Sequence, residues 1–180
     1  MRVIDKRFKV SRRIVMKAGG AAAAVGAVAP AIVAGGKAFA AGATAISEDD
    51  FATLVKMARD LYPHDKIADK YYASVIEGLD ATAKDDAAAR ALLETGVQEL
   101  DGISERMGHG KYLANQKEED RVAVLKVLEQ QDAPFFQKVR SSLITGLYNN
   151  KELWPFFGYE GESASKGGYI ARGFDDLDWI

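Results

Sequence analysis

From Ser47 to about Asn149 apolar residues recur at helical spacing in five consecutive blocks, and no stretch keeps the two-residue alternation of a half-buried strand. Ser47, with Asp50 three residues on, forms a capping box for a first helix striped by Phe51, Leu54, Val55, Ala58 and Leu61, which Pro63 ends. A second helix is expected over 66–81, with Ile67, Tyr71, Val75, Ile76 and Leu79 on one face. The third, 85–107, carries Leu92, Leu93, Val97, Leu100 and Ile103 and stops at Gly108 and Gly110. The fourth spans about 117–130 on Val122, Leu125 and Leu128. Asp132 caps the fifth, which has Pro134 in its first turn and runs through Phe136, Val139, Leu143, Ile144 and Leu147. Such stripes are stable in water only when they cover one another. The expected fold is therefore all-α, an antiparallel bundle of about five helices.

The residues before this body have the order of an export leader. Six basic residues (Arg2, Lys6, Arg7, Lys9, Arg12, Arg13) face the single acid Asp5 over the first thirteen positions. An Ala- and Gly-rich apolar run from Ala18 to Gly36 follows, and Ala38-Phe39-Ala40 has the small-x-small form of a cleavage site. Arg12 and Arg13, in the context Ser11-Arg12-Arg13, are the expected recognition pair of the twin-arginine (Tat) route, which carries proteins already folded. The run is long enough to span a bilayer, but Pro30 interrupts it and only Val25, Val28, Ile32 and Val33 are larger groups. An uncleaved anchor would be richer in Leu, Ile and Phe, so cleavage after Ala40 is the favoured reading. The chain then divides into a signal peptide, 1–40, and a helical domain, 41–180, destined for the periplasm.

Cleavage leaves 140 residues, enough for one core, in which 16 Lys and Arg face 25 Asp and Glu. That acidic balance argues against nucleic acid or an anionic membrane surface as partner. The sequence has no cysteine, which excludes iron-sulfur ligation and covalent haem on this chain, and shows no P-loop or dinucleotide fingerprint. A leader for folded cargo on a chain without a cofactor places the cofactor on another chain.

Two histidines are the only candidates for local chemistry. His64, in Pro63-His64-Asp65, and His109, between Gly108 and Gly110, could share a metal with a carboxylate if the fold brought them together. No His-x-x-x-His or Glu-x-x-His spacing supports such a site, and turn positions favour structural roles for both. The acid pairs Asp49-Asp50, Asp85-Asp86 and Asp175-Asp176 lack calcium-loop spacing, and the first two fall at helix N-termini. No catalytic, cofactor-binding or metal residues are assigned.

The last thirty residues, 151–180, differ in kind: they hold seven aromatics and five glycines with no helical period. So many aromatic rings must cover the chain's own bundle or another protein. Trp154, Phe157, Tyr159, Tyr169 and Arg172 are the candidate partner contacts.

Taken together, the leader, the Leu61-Tyr62-Pro63-His64-Asp65 turn, and the tail segments Trp154 to Gly161, Lys166 to Tyr169 and Arg172 to Trp179 resemble the small (gamma) subunit 3 of the gluconate 2-dehydrogenase family. The tail is the specific part of that likeness. The resemblance implies a subunit accompanying an FAD-dependent flavoprotein of the glucose-methanol-choline type, usually with a multihaem cytochrome c subunit that passes electrons to the respiratory chain. It also implies that this chain supplies the export signal for the flavoprotein and holds no catalytic residue of its own. The competing reading is a free-standing periplasmic enzyme or metal-binding protein using His64 and His109.

Overall fold

A computed structural model describes residues 39–168 and Ile170. Five helices follow one another: α1 Glu48–Leu61, α2 Asp69–Asp85, α3 Ala87–Arg106, α4 Glu118–Gln131 and α5 Ala133–Tyr148. Short 3-10 turns lie at Tyr112–Ala114, Trp154–Phe157 and Ser163–Lys166, and there is no strand among the described residues. Residues 1–38 of the leader, with Arg12 and Arg13, lie outside the described residues, as do Tyr169 and Arg172. No described helix is long and apolar enough to cross a membrane.

The helix ends follow from capping chemistry. Ser47 Oγ accepts the Asp50 amide at 3.1 Å, and three acids in the first turn of α1 meet the positive end of its dipole. A single residue, Asp86, separates α2 from α3, and its carboxylate accepts the amides of Ala88 and Ala89. Asp132 does the same between α4 and α5, accepting the Phe135 amide. The chain after α3 turns through Gly108 and Gly110 at φ of 83° and 69°, a left-handed backbone that suits glycine.

α1 is the central helix. It packs against each of the other four and against the 112–114 turn, so every residue from Phe51 to Ala58 is buried rather than one stripe alone. Around it sit Tyr72, Ile76, Leu93, Leu100, Ile103, Leu128, Phe135 and Leu143, all without solvent contact or nearly so. α3 and α5 touch at Gly96, where a β-carbon would come within 2.2 Å of the Phe135 ring. Burying these side chains, each worth about 1.5–3 kcal/mol, holds a protein that has no cysteine to cross-link.

Two polar clusters are built into this core. In the first, Arg121 grips Asp60 with two bonds of 2.7 Å, and the hydroxyl of the fully buried Tyr112 donates to the same carboxylate at 2.6 Å. Beside them Lys56, 6 % exposed, donates to the carbonyls of Leu113 (2.8 Å) and Asn115 (2.9 Å) and so fastens the loop between α3 and α4 to the central helix. Burial, reinforced by the charge of Arg121 and opposed by Asp60, pushes the Lys56 amine down to about 8. The unfolded chain keeps its ordinary value near 10.5, so between pH 8 and 10.5 it binds more protons than the fold, and stability rises with pH. Tyr72 and Tyr112, whose phenols burial pushes up, act the opposite way above about pH 10. They do so equally in a Lys56→Met chain and cancel in the difference. The stability of wild type relative to Lys56→Met should therefore increase between about pH 7.5 and about pH 9.5, by up to ~1.4 kcal/mol per pH unit. Urea midpoints at the two pH values measure this, and a constant difference would contradict a lowered Lys56.

The second cluster holds the segment that enters α1. Asp80 on α2, 3 % exposed, accepts the amides of Thr44 (2.7 Å), Ala45 (2.9 Å) and Ile46 (3.0 Å) and the Thr44 hydroxyl (2.8 Å). Burial raises this carboxyl, but the four hydrogen bonds outweigh it and hold the group below its ordinary range. Arg90 on α3 donates to the Ala45 carbonyl. Ala40, Ala45 and Ile46 are part of the core, and Phe39 packs against it.

Candidate docking face at the end of the bundle

Beyond α5 the chain folds back over the connection between α1 and α2. Leu153 is fully buried and pins the returning segment, and the 3-10 turn Trp154–Phe157 follows it. With three residues per turn, positions 154 and 157 lie on the same side while 156 points away. Trp154 accordingly donates its indole N–H to the Tyr148 carbonyl at 3.0 Å and packs its ring beside Gly161, whose φ of 103° brings the backbone close. Phe157 turns inward against Tyr148 (ring centroids 4.8 Å apart) and His64 (5.3 Å). Phe156 projects outward, 53 % exposed.

The floor of this face is set by the 62–67 turn. Tyr72 donates its hydroxyl to the Tyr62 carbonyl at 2.5 Å, and Arg59 donates to the Ile67 carbonyl at 2.5 Å while lying 5.1 Å over the Tyr72 ring. The turn so held presents His64, whose Nε2 shares a 3.0 Å hydrogen bond with the Tyr148 hydroxyl. Burial, with Tyr62 adding to it, pushes the Tyr148 phenol up and keeps it a neutral hydroxyl. A cleft of about 250 Å³ opens between Pro63, His64, Lys66 and Ile67 on one side and Phe156 and Phe157 on the other. Tyr159, 51 % exposed, stands edge-on to Trp154 at 5.0 Å, and Lys151 lies 5.3 Å over the Trp154 ring. Ion pairs Lys151–Glu162 and Lys166–Glu160, both at 3.3 Å, rim the face.

The candidate contacts thus separate. Trp154 and Phe157 are half-buried and engaged with their own bundle, whereas Tyr159 offers its ring to solvent. Phe156 and Tyr148, neither among the contacts expected from sequence, complete the exposed surface. The three-residue period of a Pro-containing turn was the signal for Phe156, since neighbours 156 and 157 cannot both face inward.

The two histidines have separate surroundings. His109 Nδ1 lies 3.4 Å from Asp120 at the start of α4, while His64 belongs to the aromatic cluster. Among the described residues no group of three or more His, Cys, Asp or Glu is placed to hold a metal.

Residues 48–161 match the family described as Gluconate 2-dehydrogenase subunit 3. The chain belongs to that family. The match runs from the first turn of α1 to Gly161, so it contains the whole bundle together with Trp154, Phe156, Phe157 and Tyr159. No curated protein and no solved structure matches the chain. A gluconate 2-dehydrogenase subunit 3 is a small subunit of a dehydrogenase complex.

Proposed function

We propose that this chain is the non-catalytic small subunit of a periplasmic, membrane-associated FAD-dependent dehydrogenase acting on a sugar or sugar acid of the gluconate type. It binds the flavoprotein through the aromatic face, aids its folding, and escorts it through the Tat translocase on the signal carried by Arg12 and Arg13. The flavin resides on the large subunit and haem c on a cytochrome subunit. The sequence has no cysteine for thioether attachment of haem, and there is no strand-to-helix turn among the described residues to receive a dinucleotide.

The observation that carries the reading is the half-exposed pair Phe156 and Tyr159 on a surface within the family match. Aromatic rings are over-represented among residues whose truncation weakens an interface, at about 2 kcal/mol or more each. In a Phe156→Ala/Tyr159→Ala chain, the melting temperature should stay close to wild type, because exposed side chains contribute within about 0.5 kcal/mol. Affinity for the flavoprotein should fall by roughly 30-fold or more for each ring removed. Trp154→Ala should instead lower the stability of the isolated subunit, since its indole N–H and ring are spent inside the chain. Thermal melting and co-purification distinguish the two, and full pairing by the double variant would place the interface elsewhere.

A further inference from the structure

The bond expected to be cut when the leader is removed, Ala40–Ala41, lies within the folded body. Ala40 is 0 % exposed, and its carbonyl accepts the Ala43 amide at 2.9 Å in a tight turn, while the Phe39 carbonyl accepts the Gly42 amide. Immediately downstream, the amides of Thr44, Ala45 and Ile46 are occupied by Asp80, and the Ala45 carbonyl by Arg90. A peptidase needs several residues around the scissile bond extended in its cleft, with the carbonyl free for attack. Here that carbonyl is in use and the side chain before it fills the core. Residues 44–46 cannot enter a protease without leaving Asp80 on α2 and Arg90 on α3.

We propose that the fold locks its own processing site: the Ala40–Ala41 bond is hydrolysed only in the fraction of molecules in which residues 39–46 have lifted from Asp80 and Arg90. The inference rests on the leader reading above and adds the device that times its removal. Water adds across the peptide bond, giving the Ala40 carboxylate and the Ala41 amine, so the reaction needs no further reactant. Where opening and reclosing are fast relative to cleavage, the rate follows the open population, and that population follows the strength of the clamp. A folded cargo thereby keeps its leader until it has been delivered and the junction opens.

The test uses the purified full-length chain and purified signal peptidase, with intact mass reading the cut position, circular dichroism reading the fold, and a synthetic peptide of residues 30–50 as the unclamped reference. The peptide should be cut after position 40, and the folded chain at the same bond at least about tenfold more slowly. Asp80→Asn, which puts an amide NH2 where one carboxylate oxygen accepted from Thr44 or from Ala45 and Ile46, and removes the acceptor's charge, should speed cleavage of the folded chain by roughly tenfold or more. Thr44→Val removes a single hydroxyl contact at an exposed position, and should speed cleavage by a few-fold with the fold intact. This second variant carries the test if Asp80→Asn fails to fold. Equal rates for peptide and folded wild type would overturn the lock while leaving the leader reading in place. A peptide not cut after Ala40 would overturn the leader reading and the lock with it.

Discussion

Asp60→Ala should destabilise the protein by about 3–5 kcal/mol, the range for removing one partner of a buried ion pair. The Asp60 and Arg121 side chains are 4 % and 12 % exposed, and the carboxylate also takes the Tyr112 hydroxyl at the centre of the fold. Deleting it leaves a guanidinium and a phenol in the core with their principal acceptor gone, beside a lysine that Asp60 helps to keep charged. Against a total stability of about 5–15 kcal/mol, this is a large fraction. For a domain of this size the melting temperature should drop by roughly 10–20 °C. Asp60→Ala combined with Arg121→Met should recover part of the loss, because the second change removes the orphaned charge. Denaturant midpoints of the two single variants and the double variant measure the coupling. A loss below about 1 kcal/mol, or strictly additive effects, would show that the network does not act as a unit.

Much of the bundle was legible because its signals are local. The Ser47 cap, the Asp132 cap with Pro134 behind it, and the glycine stop after α3 depend on residues within a turn of one another, and all three stand where expected. The second stripe is right at Ile76 and Leu79, which are buried, and one position off at Tyr71 and Val75. The helix expected from 66 begins at Asp69, and Ile67 is buried from the turn before it. The face that meets the core therefore carries the fully buried Tyr72, with Tyr71 and Val75 only packed at its edge. Ile144 is exposed because neighbouring Leu143, about 100° away on the helix, takes the core side. In α4 the buried valine is Val124, with Val122 half-buried.

The polar interior could not be read locally. Asp60 finds Arg121 across 61 positions, Asp80 finds Thr44 across 36, and Lys56 finds the Asn115 carbonyl across 59. On a helical wheel each of these is an ordinary charged residue. The core role of Ala40 to Ile46 was hidden for a similar reason: short Ala-rich sequence has no period, and only tertiary contact shows that it is buried. At the docking face, the sequence located the aromatic segment, whereas the division into inward Trp154 and Phe157 and outward Phe156 and Tyr159 came from the backbone of the 3-10 turn.

The central claim, that this subunit escorts a flavoprotein, is tested most directly by the distribution of dehydrogenase activity in a strain whose only copy of the subunit carries Arg12→Lys and Arg13→Lys. On the proposed reading Arg12 and Arg13 are the export signal, and lysine's point charge does not reproduce the guanidinium fork, so the conservative exchange keeps the charge and should remove the signal. Because the export machinery passes folded cargo, loss of this signal should strand both chains together. The account predicts that periplasmic dehydrogenase activity falls at least about tenfold. The flavoprotein should accumulate in the cytoplasm bound to the unprocessed subunit. Normal periplasmic activity with the variant subunit left in the cytoplasm would contradict it.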